Sequence, residues 1–322
     1  MKLILTLILC LFLAIFSQKA LATCYPAGIT FSSQAQIDNF AANSGNCTEI
    51  IGNVTITGND ITNLAGLSAV SYIGGDFTIK QNPLLTNVGA LSSLQAVLGN
   101  FTIAENNALT GIYGLSSLLT VGKTLTIYNN TVMTNLAGFN GIITLDGSLS
   151  IFSNPSLTDI SGFQMLKNVA LHFGISNCPL LATMAGFSSL NTVGNIFKIS
   201  DNHSITSLNS FSTLVSIGNF LIIDSNDQLP NLQGLENLKT VQEITIKNNG
   251  LLTNISALAG IIALSKSLFI SYNPLLANLN GLQNLTEIGG GFFLDNNAGL
   301  TNLTGLNNLT KVAGVFDISC KS

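Results

Sequence analysis

The chain lacks tryptophan and arginine altogether, and only two of its 322 residues are histidines. Its 11 basic residues are therefore all lysines, and they are set against 15 acidic residues. Without arginine, bidentate recognition of carboxylate or phosphate groups is excluded, and the absence of a basic stripe argues against nucleic acid as a partner. Charged residues make up 8% of the chain, so Asn, Ser, Thr and Gly must keep its surface hydrated.

Long apolar runs are also missing, except for one at the N-terminus. That run follows Lys2 and ends before Ala20 and Ala22, small residues that suit a signal cleavage site. We predict that residues 1–22 are a secretory signal; a retained anchor is the alternative, although the run is short for a membrane span. Loss of Lys2 and Lys19 leaves nine of the 11 lysines against 15 acidic residues, a net charge of −6. The remaining chain is predicted to be secreted or at the cell surface, with no membrane insertion.

The chain does contain one short pattern that repeats along its length. In F-T-I-K-Q-N at 77–82, Phe77 and Ile79 alternate with polar residues as in a half-buried strand, and an Asn follows three residues after the Ile. The central aliphatic returns every 23 or 24 residues, at Ile56, Ile79, Ile103, Ile127, Ile151, Ile175, Ile199, Ile223, Ile246, Ile270, Leu294 and Ile318. This period predicts a mainly β fold, a parallel β-solenoid of about 12 coils in which each coil buries its apolar face on the next.

The Asn that follows each strand is predicted to form a structural ladder. The ladder positions are Asn59, Asn82, Asn106, Asn130, Asn154, Cys178, Asn202, Asn226, Asn249, Asn273 and Asn297. Where the chain turns away from the strand, backbone N–H and C=O groups are buried without sheet partners. An amide side chain offers both a donor and an acceptor, so it can satisfy these groups and the equivalent amide of the next coil.

Residues 23–50 do not follow the repeat and are predicted to be an N-terminal cap. Ser32 or Ser33 is a candidate N-cap for a short helix over residues 34–40. Cys24 and Cys47 bracket the segment, and in an exported protein two such cysteines are predicted to form a disulfide. Closing a loop of this size stabilises the fold by about 3 kcal/mol.

The repeat continues to Ile318, four residues before the C-terminus. An uncovered final strand invites edge pairing, so either a partner covers it or the chain is a shortened form, and end-to-end self-association is one predicted interaction. Cys320 lies six coils from Cys178, on the order of 28 Å at the inter-strand spacing, so these two thiols cannot bond. Cys320 is either a free terminal thiol or an intermolecular link.

Written as one line, the unit N-P-x-L-T-N-L-x-G-L-x-x-L-x-x-V-G-x-x-F-x-I-x-x resembles the leucine-rich-repeat signature. The I-x-x-N and V-G-x-x-L-x-I spacings are most similar to the receptor L-domain type, known from growth-factor-receptor ectodomains and exported bacterial surface proteins. The resemblance spans about residues 24–320 and implies a right-handed solenoid with a parallel sheet along one face, which we place at residues 51–322. It also permits Cys178 at a ladder position as a buried structural thiol. The C-terminal sorting module of many bacterial relatives is not visible.

Catalytic and metal-binding motifs do not occur, so we predict no enzyme activity, no cofactor and no metal. His172 and His203 have no Ser or Cys nucleophile at a recognisable spacing. The repeat places Asp201, His203, Asp224 and Asp227 on two adjacent coils, where they are able to approach one another. A cation is the functional interpretation and a solvated turn the structural one.

The outward strand positions are the predicted functional surface. The residues that we predict to bind a ligand are Tyr128, Phe152, Thr102, Thr126, Phe269 and Phe293. Paired aromatic side chains on a solvated sheet suit a partner protein or a sugar ring, whereas ordinary strand propensity is the structural explanation. The predicted function is a non-enzymatic extracellular recognition or adhesion module for a protein or carbohydrate. The Thr row of the first coils supports the alternative of an ice- or crystal-surface binder.

Overall fold

A computed structural model of the chain describes residues 23–319. The predicted signal at residues 1–22 and the thiol of Cys320 lie outside the described residues. Each coil contributes one strand to a parallel sheet of 13 strands, which we call sheet 1. Its strands are Ile29–Phe31, Val54–Ile56, Phe77–Lys80, Phe101–Ala104, Leu125–Tyr128, Leu149–Phe152, Phe173–Ser176, Ile196–Ser200, Phe220–Asp224, Glu243–Lys247, Leu268–Ser271, Phe292–Asp295 and Phe316–Ser319.

The register of sheet 1 follows the sequence repeat residue for residue. Ile127 pairs with Ile103 on one side and with Ile151 on the other, and the 23-residue step from Ile223 to Ile246 keeps the same alignment. Equivalent side chains therefore stack at the inter-strand spacing of about 4.8 Å. The predicted parallel β-solenoid of about 12 coils is confirmed.

Short strands that directly precede the sheet 1 strands form two smaller parallel sheets. Sheet 2 has nine strands, Thr23–Cys24, Glu49–Ile50, Tyr72–Ile73, Ala96–Val97, Thr120–Val121, Thr144–Leu145, Asn168–Val169, Thr192–Val193 and Ser216–Ile217. Sheet 3 has three strands, Ala263–Leu264, Glu287–Ile288 and Lys311–Val312. Between the two sheets, an isolated bridge joins Ser216 and Thr240.

The gap between sheets 2 and 3 coincides with a shortened coil. In the preceding coil four positions separate Ile217 from the inward Leu221, whereas only three separate Val241 from Ile244. Sheet 1 keeps its register through this coil, so the missing residue must be absorbed in the turn between Val241 and Ile244. We infer that this loss is why sheet 2 ends at Ser216–Ile217 and sheet 3 begins only at Ala263–Leu264.

The core runs the length of the solenoid. The central aliphatics from Ile56 to Leu294 are buried, and so are the residues two positions before them, from Val54 to Phe292. Phe173 shows how the coils interlock, because its ring stacks on Phe197 at a centroid distance of 4.9 Å and meets Phe187 edge-on at 4.8 Å. Phe316 differs and is 54% exposed, since its strand pairs only with Phe292–Asp295 among the described residues. Five 3₁₀ helices complete the coils, at Ala65–Leu67, Gly89–Ser93, Ser161–Phe163, Asn209–Phe211 and Ser256–Gly260.

The N-terminal cap contains two short helices and the predicted disulfide. Helix α1 spans Gln34–Asp38 and helix α2 spans Phe40–Asn43, so the helix predicted over residues 34–40 is interrupted at Asn39. The Ser33 side chain accepts a hydrogen bond from the Gln36 N–H and caps α1. Cys24 and Cys47 are joined by a disulfide.

The cap is continuous with the solenoid and does not form a separate layer. Its strand Ile29–Phe31 pairs with Val54–Ile56 and begins sheet 1. Ile37 and Phe40 are buried and cover the open end of the first coil, where the Phe40 ring contacts Phe31 and Tyr25. No helix among residues 23–319 is long and apolar enough to cross a membrane.

Candidate functional site

The outward face of sheet 1 consists of two columns of side chains on either side of the central aliphatics. Because the strands are parallel and in register, equivalent outward residues lie side by side along the solenoid. Thr30, Thr55, Thr78, Thr102 and Thr126 form one such column, paired strand by strand. The column is more regular than predicted, because the cap adds Thr30 to it.

Tyr128 and Phe152 form a stacked pair in the other outward column. Their ring centroids are 4.9 Å apart and their planes differ by 5°. Both rings are half-buried, which fits a stack that covers its own inner faces. Thr126 lies two residues before Tyr128 on the same strand and pairs with Thr102. The structure thus brings four of the predicted ligand-binding residues together, and we call Thr102, Thr126, Tyr128 and Phe152 the aromatic patch.

Phe269 and Phe293 form a second stacked pair, with centroids 4.7 Å apart and planes at 3°. Five strand spacings separate Phe152 from Phe269, on the order of 24 Å, so the structure does not join the two pairs into one site. A Cβ at Gly291 would collide with the Phe293 ring. The ring therefore lies over the Gly291 backbone, and this second pair has a clear packing role.

The Asn ladder runs beneath the turn that follows each strand of sheet 1. In the middle of the ladder, the Asn130 N–H donates to Asn154 Oδ1 at 3.1 Å, and its amide nitrogen donates to the Ile103 carbonyl at 3.1 Å. Asn106 repeats both contacts one coil earlier. Nine members of the ladder are buried, at Asn82, Asn106, Asn130, Asn154, Asn202, Asn226, Asn249, Asn273 and Asn297.

Asn59 is not part of this ladder, which corrects the prediction. Asn59 is exposed, and the Gly58 N–H donates to Asn82 Oδ1 at 2.9 Å in its place. The cause is a turn that is one residue shorter, since Gly58 follows Ile56 by two positions whereas Asn82 follows Ile79 by three. The prediction counted three residues from the central aliphatic and therefore chose Asn59. The length of the turn decides which backbone N–H faces the ladder, and here that N–H belongs to Gly58.

Cys178 occupies its predicted ladder position as a buried thiol. Its N–H donates to Asn202 Oδ1 at 3.0 Å, as a ladder Asn would. Burial raises the pKa of Cys178 to about 11, although hydrogen bonds from Asn154 oppose the shift. The thiol is therefore protonated at neutral pH and acts as a weak acceptor where the other coils have an amide oxygen.

The structure also shows a groove that the sequence analysis missed. From the strand Phe77–Lys80 onward, the residue before each ladder position has a positive φ. These residues are Gln81, Glu105, Asn129, Ser153, Asn177, Asp201, Ser225, Asn248, Tyr272 and Asn296. The first five of these residues form one wall, and Asn59, Pro83, Asn107, Thr131 and Pro155 form the other. We call this the polar groove; its volume is about 730 Å³. The polar character of its first wall was visible in the sequence, but its geometry was not.

The charged residues near His203 do not assemble into a reactive centre. His203 Nδ1 lies 2.8 Å from Asp227 Oδ2 on the surface, and Lys247 lies 3.3 Å from Asp224. Among residues 23–319, no group of three or more His, Cys, Asp or Glu side chains is placed to hold a metal ion. These contacts are solvated pairs of side chains on neighbouring coils.

Comparison with known proteins supports the fold and the broad class. No curated protein matches the chain. Residues 46–118 match the Receptor L domain family model, a segment that contains Cys47, the ladder residues Asn82 and Asn106, and part of the polar groove. The match indicates a ligand-binding module of the receptor type. Residues 46–118 are thus similar to a receptor L domain, and the solenoid described above fits that similarity.

Proposed function

We propose that this chain is a non-enzymatic extracellular recognition module that binds a partner protein through the outward face of sheet 1. The observation that carries the proposal is the aromatic patch, in which the Tyr128–Phe152 stack adjoins the paired Thr102 and Thr126 on a flat parallel sheet. Aromatic rings are enriched at protein interfaces because they bury a large area, and Tyr adds a hydroxyl. The hydroxyls of the Thr pair supply polar groups at the edge of the stack.

The extracellular location is supported by the chemistry of the cap. The disulfide between Cys24 and Cys47 requires an oxidising compartment to form and persist. The apolar N-terminal run, followed by Ala20 and Ala22, supplies the expected route of export. Display at a bacterial cell surface is a finer proposal that depends on the resemblance of the repeat unit alone.

The test compares two double variants in a capture experiment on cell surfaces and culture medium. Tyr128→Ser/Phe152→Ser removes the stack, whereas Leu119→Ser/Ile143→Ser removes two exposed aliphatic residues that are also one coil apart but lie beside sheet 2. We expect the first variant to lose binding by at least about 100-fold, because two interface aromatics each contribute about 2 kcal/mol, and the control to bind like the natural protein. Unchanged binding by a folded Tyr128→Ser/Phe152→Ser variant would remove this face from consideration.

The chemical class of the partner is determined by treating the captured material. Digestion with a protease should abolish binding to the aromatic patch if the partner is a protein. If periodate oxidation abolishes it and protease does not, the partner at this face is a carbohydrate, and the proposal of a protein partner is wrong.

The Thr column supports a second candidate function, which is binding to ice or to another crystal surface. Five Thr residues lie in register from Thr30 to Thr126, and equally spaced hydroxyls on a flat face suit an ordered lattice. The adjacent outward column is irregular, with Lys80 and Ala104 leading to Tyr128. A thermal-hysteresis assay at high protein concentration tests this candidate, and no measurable hysteresis rejects it.

End-to-end self-association also belongs to the proposed interactions. The strand Phe316–Ser319 pairs on one side only among the described strands, and Phe316 is 54% exposed. An uncovered strand edge with an exposed aromatic residue is a pairing site. Light scattering on the purified protein should show a concentration-dependent dimer that Phe316→Lys weakens, and a monomer at all concentrations would contradict this.

A further inference from the structure

The geometry points to a second binding site, independent of the aromatic patch: we propose that the polar groove binds an uncharged linear oligosaccharide along the solenoid axis. The groove follows the turns after six successive strands of sheet 1, between the wall that begins at Gln81 and the wall that begins at Asn59. From Gln81 to Asn177 the wall rises by four inter-coil steps, on the order of 19 Å. An elongated ligand fits this shape better than a compact one.

The floor of the groove is rigid. Between the two walls lie the ladder residues Asn82, Asn106, Asn130 and Asn154, all fully buried. Their amides are committed to the backbone and to one another, as Asn106 shows with its contacts to Ile79 and Asn130. The wall residues directly before them are held at φ values of 51° to 57°. A site whose backbone is fixed in this way loses little conformational entropy when a ligand binds.

The walls offer repeated hydrogen-bonding groups. Gln81 Nε2 donates to Glu105 Oε2 at 2.8 Å, and Asn177 Nδ2 donates to Ser153 Oγ at 3.1 Å. These contacts orient four side chains and leave further lone pairs and N–H groups free. The exposed amide of Asn129, between the two pairs, makes no hydrogen bond with another described side chain or backbone group. Amides and hydroxyls both donate and accept, which is what a row of sugar hydroxyls requires.

The charge of the groove excludes several other ligands. Glu105 is its one ionisable residue, so the groove has no cation to hold a phosphate, sulfate or uronate. One carboxylate is also too few to hold a metal ion, which takes several oxygen ligands. The volume of about 730 Å³ lies within the range of small-molecule sites, about 300–1,000 Å³. Those sites are mainly apolar, and the amide-rich walls here favour a polyhydroxylated ligand instead.

A peptide fits the groove less well. Extended peptides are bound by adding a strand to a free sheet edge, with pockets for alternate side chains. The backbone at this groove turns away from sheet 1, and its floor amides already pair with one another. The groove therefore provides no strand edge, whereas side-chain amides at a spacing of about 4.8 Å continue along its whole length.

The experiment uses variants that exploit the positive φ of the wall. Asn129→Gly/Asn177→Gly removes two groove amides at φ values of 55° and 51°, where glycine is well tolerated. Asn248→Gly/Asn296→Gly makes the same change in the same column, at 55° and 52°, but outside the groove. The probes are cellohexaose, chitohexaose, laminarihexaose and mannohexaose, with a heparin hexasaccharide as the charged comparison, measured by titration calorimetry. Expression in a host without N-glycosylation keeps Asn129, in the sequon Asn129-Asn130-Thr131, unmodified.

We expect the natural protein to bind at least one of the four neutral hexasaccharides, and the Asn129→Gly/Asn177→Gly variant to bind it at least about tenfold more weakly, because two to four hydrogen bonds are lost. The Asn248→Gly/Asn296→Gly variant and the Tyr128→Ser/Phe152→Ser variant should bind it unchanged. The proposal is overturned if none of the neutral probes binds, if only the heparin hexasaccharide binds, or if both glycine variants behave alike. Loss of binding in the Tyr128→Ser/Phe152→Ser variant alone would assign the sugar to the aromatic patch and also overturn it.

Discussion

Inward-facing and outward-facing residues on the same strands of sheet 1 differ in how much their residue type varies from coil to coil. The inward position two before each central aliphatic is always apolar, and it is buried from Val54 to Phe292. The outward position between them varies from Thr102 to Gly174, Lys198 and Phe269. Both columns have the same backbone geometry and the same spacing. The comparison shows that the coil stack constrains one face of the sheet and leaves the other free to vary.

The physical reason for this contrast is the difference in surroundings. An inward side chain is enclosed by its own coil and by the coils on both sides, so a change in volume leaves a cavity or a clash. An outward side chain meets solvent and its two column neighbours only. Substitutions on the two faces should therefore differ strongly in their effect on the free energy of unfolding.

The largest effect is expected for Phe173→Ala on the inward face. Phe173 is fully buried and its ring contacts Phe187, Phe197 and Phe211. Its removal should lower the free energy of unfolding by about 3–5 kcal/mol, through lost transfer energy and a cavity. The control is Phe152→Ala on the outward face of the adjacent strand, with an expected loss of about 1 kcal/mol. Equal losses in urea unfolding would show that the two faces are not distinct.

Asn130→Ala tests whether the ladder is as constrained as the apolar columns. The change leaves the buried Asn106 N–H without its acceptor and removes the amide donor to the Ile103 carbonyl. Each unsatisfied group costs about 1–3 kcal/mol, so a total on the order of 3 kcal/mol is expected. Asn107→Ala, one residue after a ladder Asn and exposed, should change stability by less than about 0.5 kcal/mol. A similar small change in both variants would contradict the structural role of the ladder.

The ladder position of Cys178 makes the stability of the protein sensitive to alkaline pH. The ordinary thiol pKa of 9.0 applies in the unfolded chain, and burial raises the folded pKa to about 11. Between these two pKa values the folded protein retains the proton that the unfolded chain releases. The contribution of the Cys178 thiol to the free energy of unfolding is therefore complete below pH 9 and is lost as pH rises toward 11. The loss is at most about 1.4 kcal/mol per pH unit.

The measurement is the difference in unfolding free energy between the natural protein and Cys178→Ala as a function of pH. Cys320 is present in both proteins, so its titration cancels. A difference that is constant from pH 8 to 11 would show that the thiol does not titrate through the folded state in this way.

The smallest effect is expected on the outward face at the second aromatic pair. Phe269→Ser, Phe293→Ser and the double variant form a cycle that isolates the energy of the stack. The rings lie 4.7 Å apart, for which a coupling of about 1 kcal/mol is expected. A coupling near zero would mean that Phe293 is held by the Gly291 backbone beneath it and not by Phe269.

The architecture was largely predictable because the solenoid expresses its geometry as a sequence period. The 24-residue register, the buried central aliphatics and the cap disulfide all followed from spacing and residue type. Asn59 was assigned wrongly because a turn shortened by one residue transfers the ladder position to Gly58. The helix predicted over residues 34–40 is interrupted at Asn39 and followed by a second helix that extends to Asn43, because nothing in residues 34–40 marks the interruption.

The side chains that must be buried could be identified from the repeat alone, because every coil packs the same positions against its neighbours and therefore needs an apolar residue there. The tertiary structure alone shows which exposed side chains line the polar groove. The positive φ of residues such as Asn129 opens this groove above the ladder. The groove depends on the backbone angles of the turns, which exposed polar residues with little periodicity do not record.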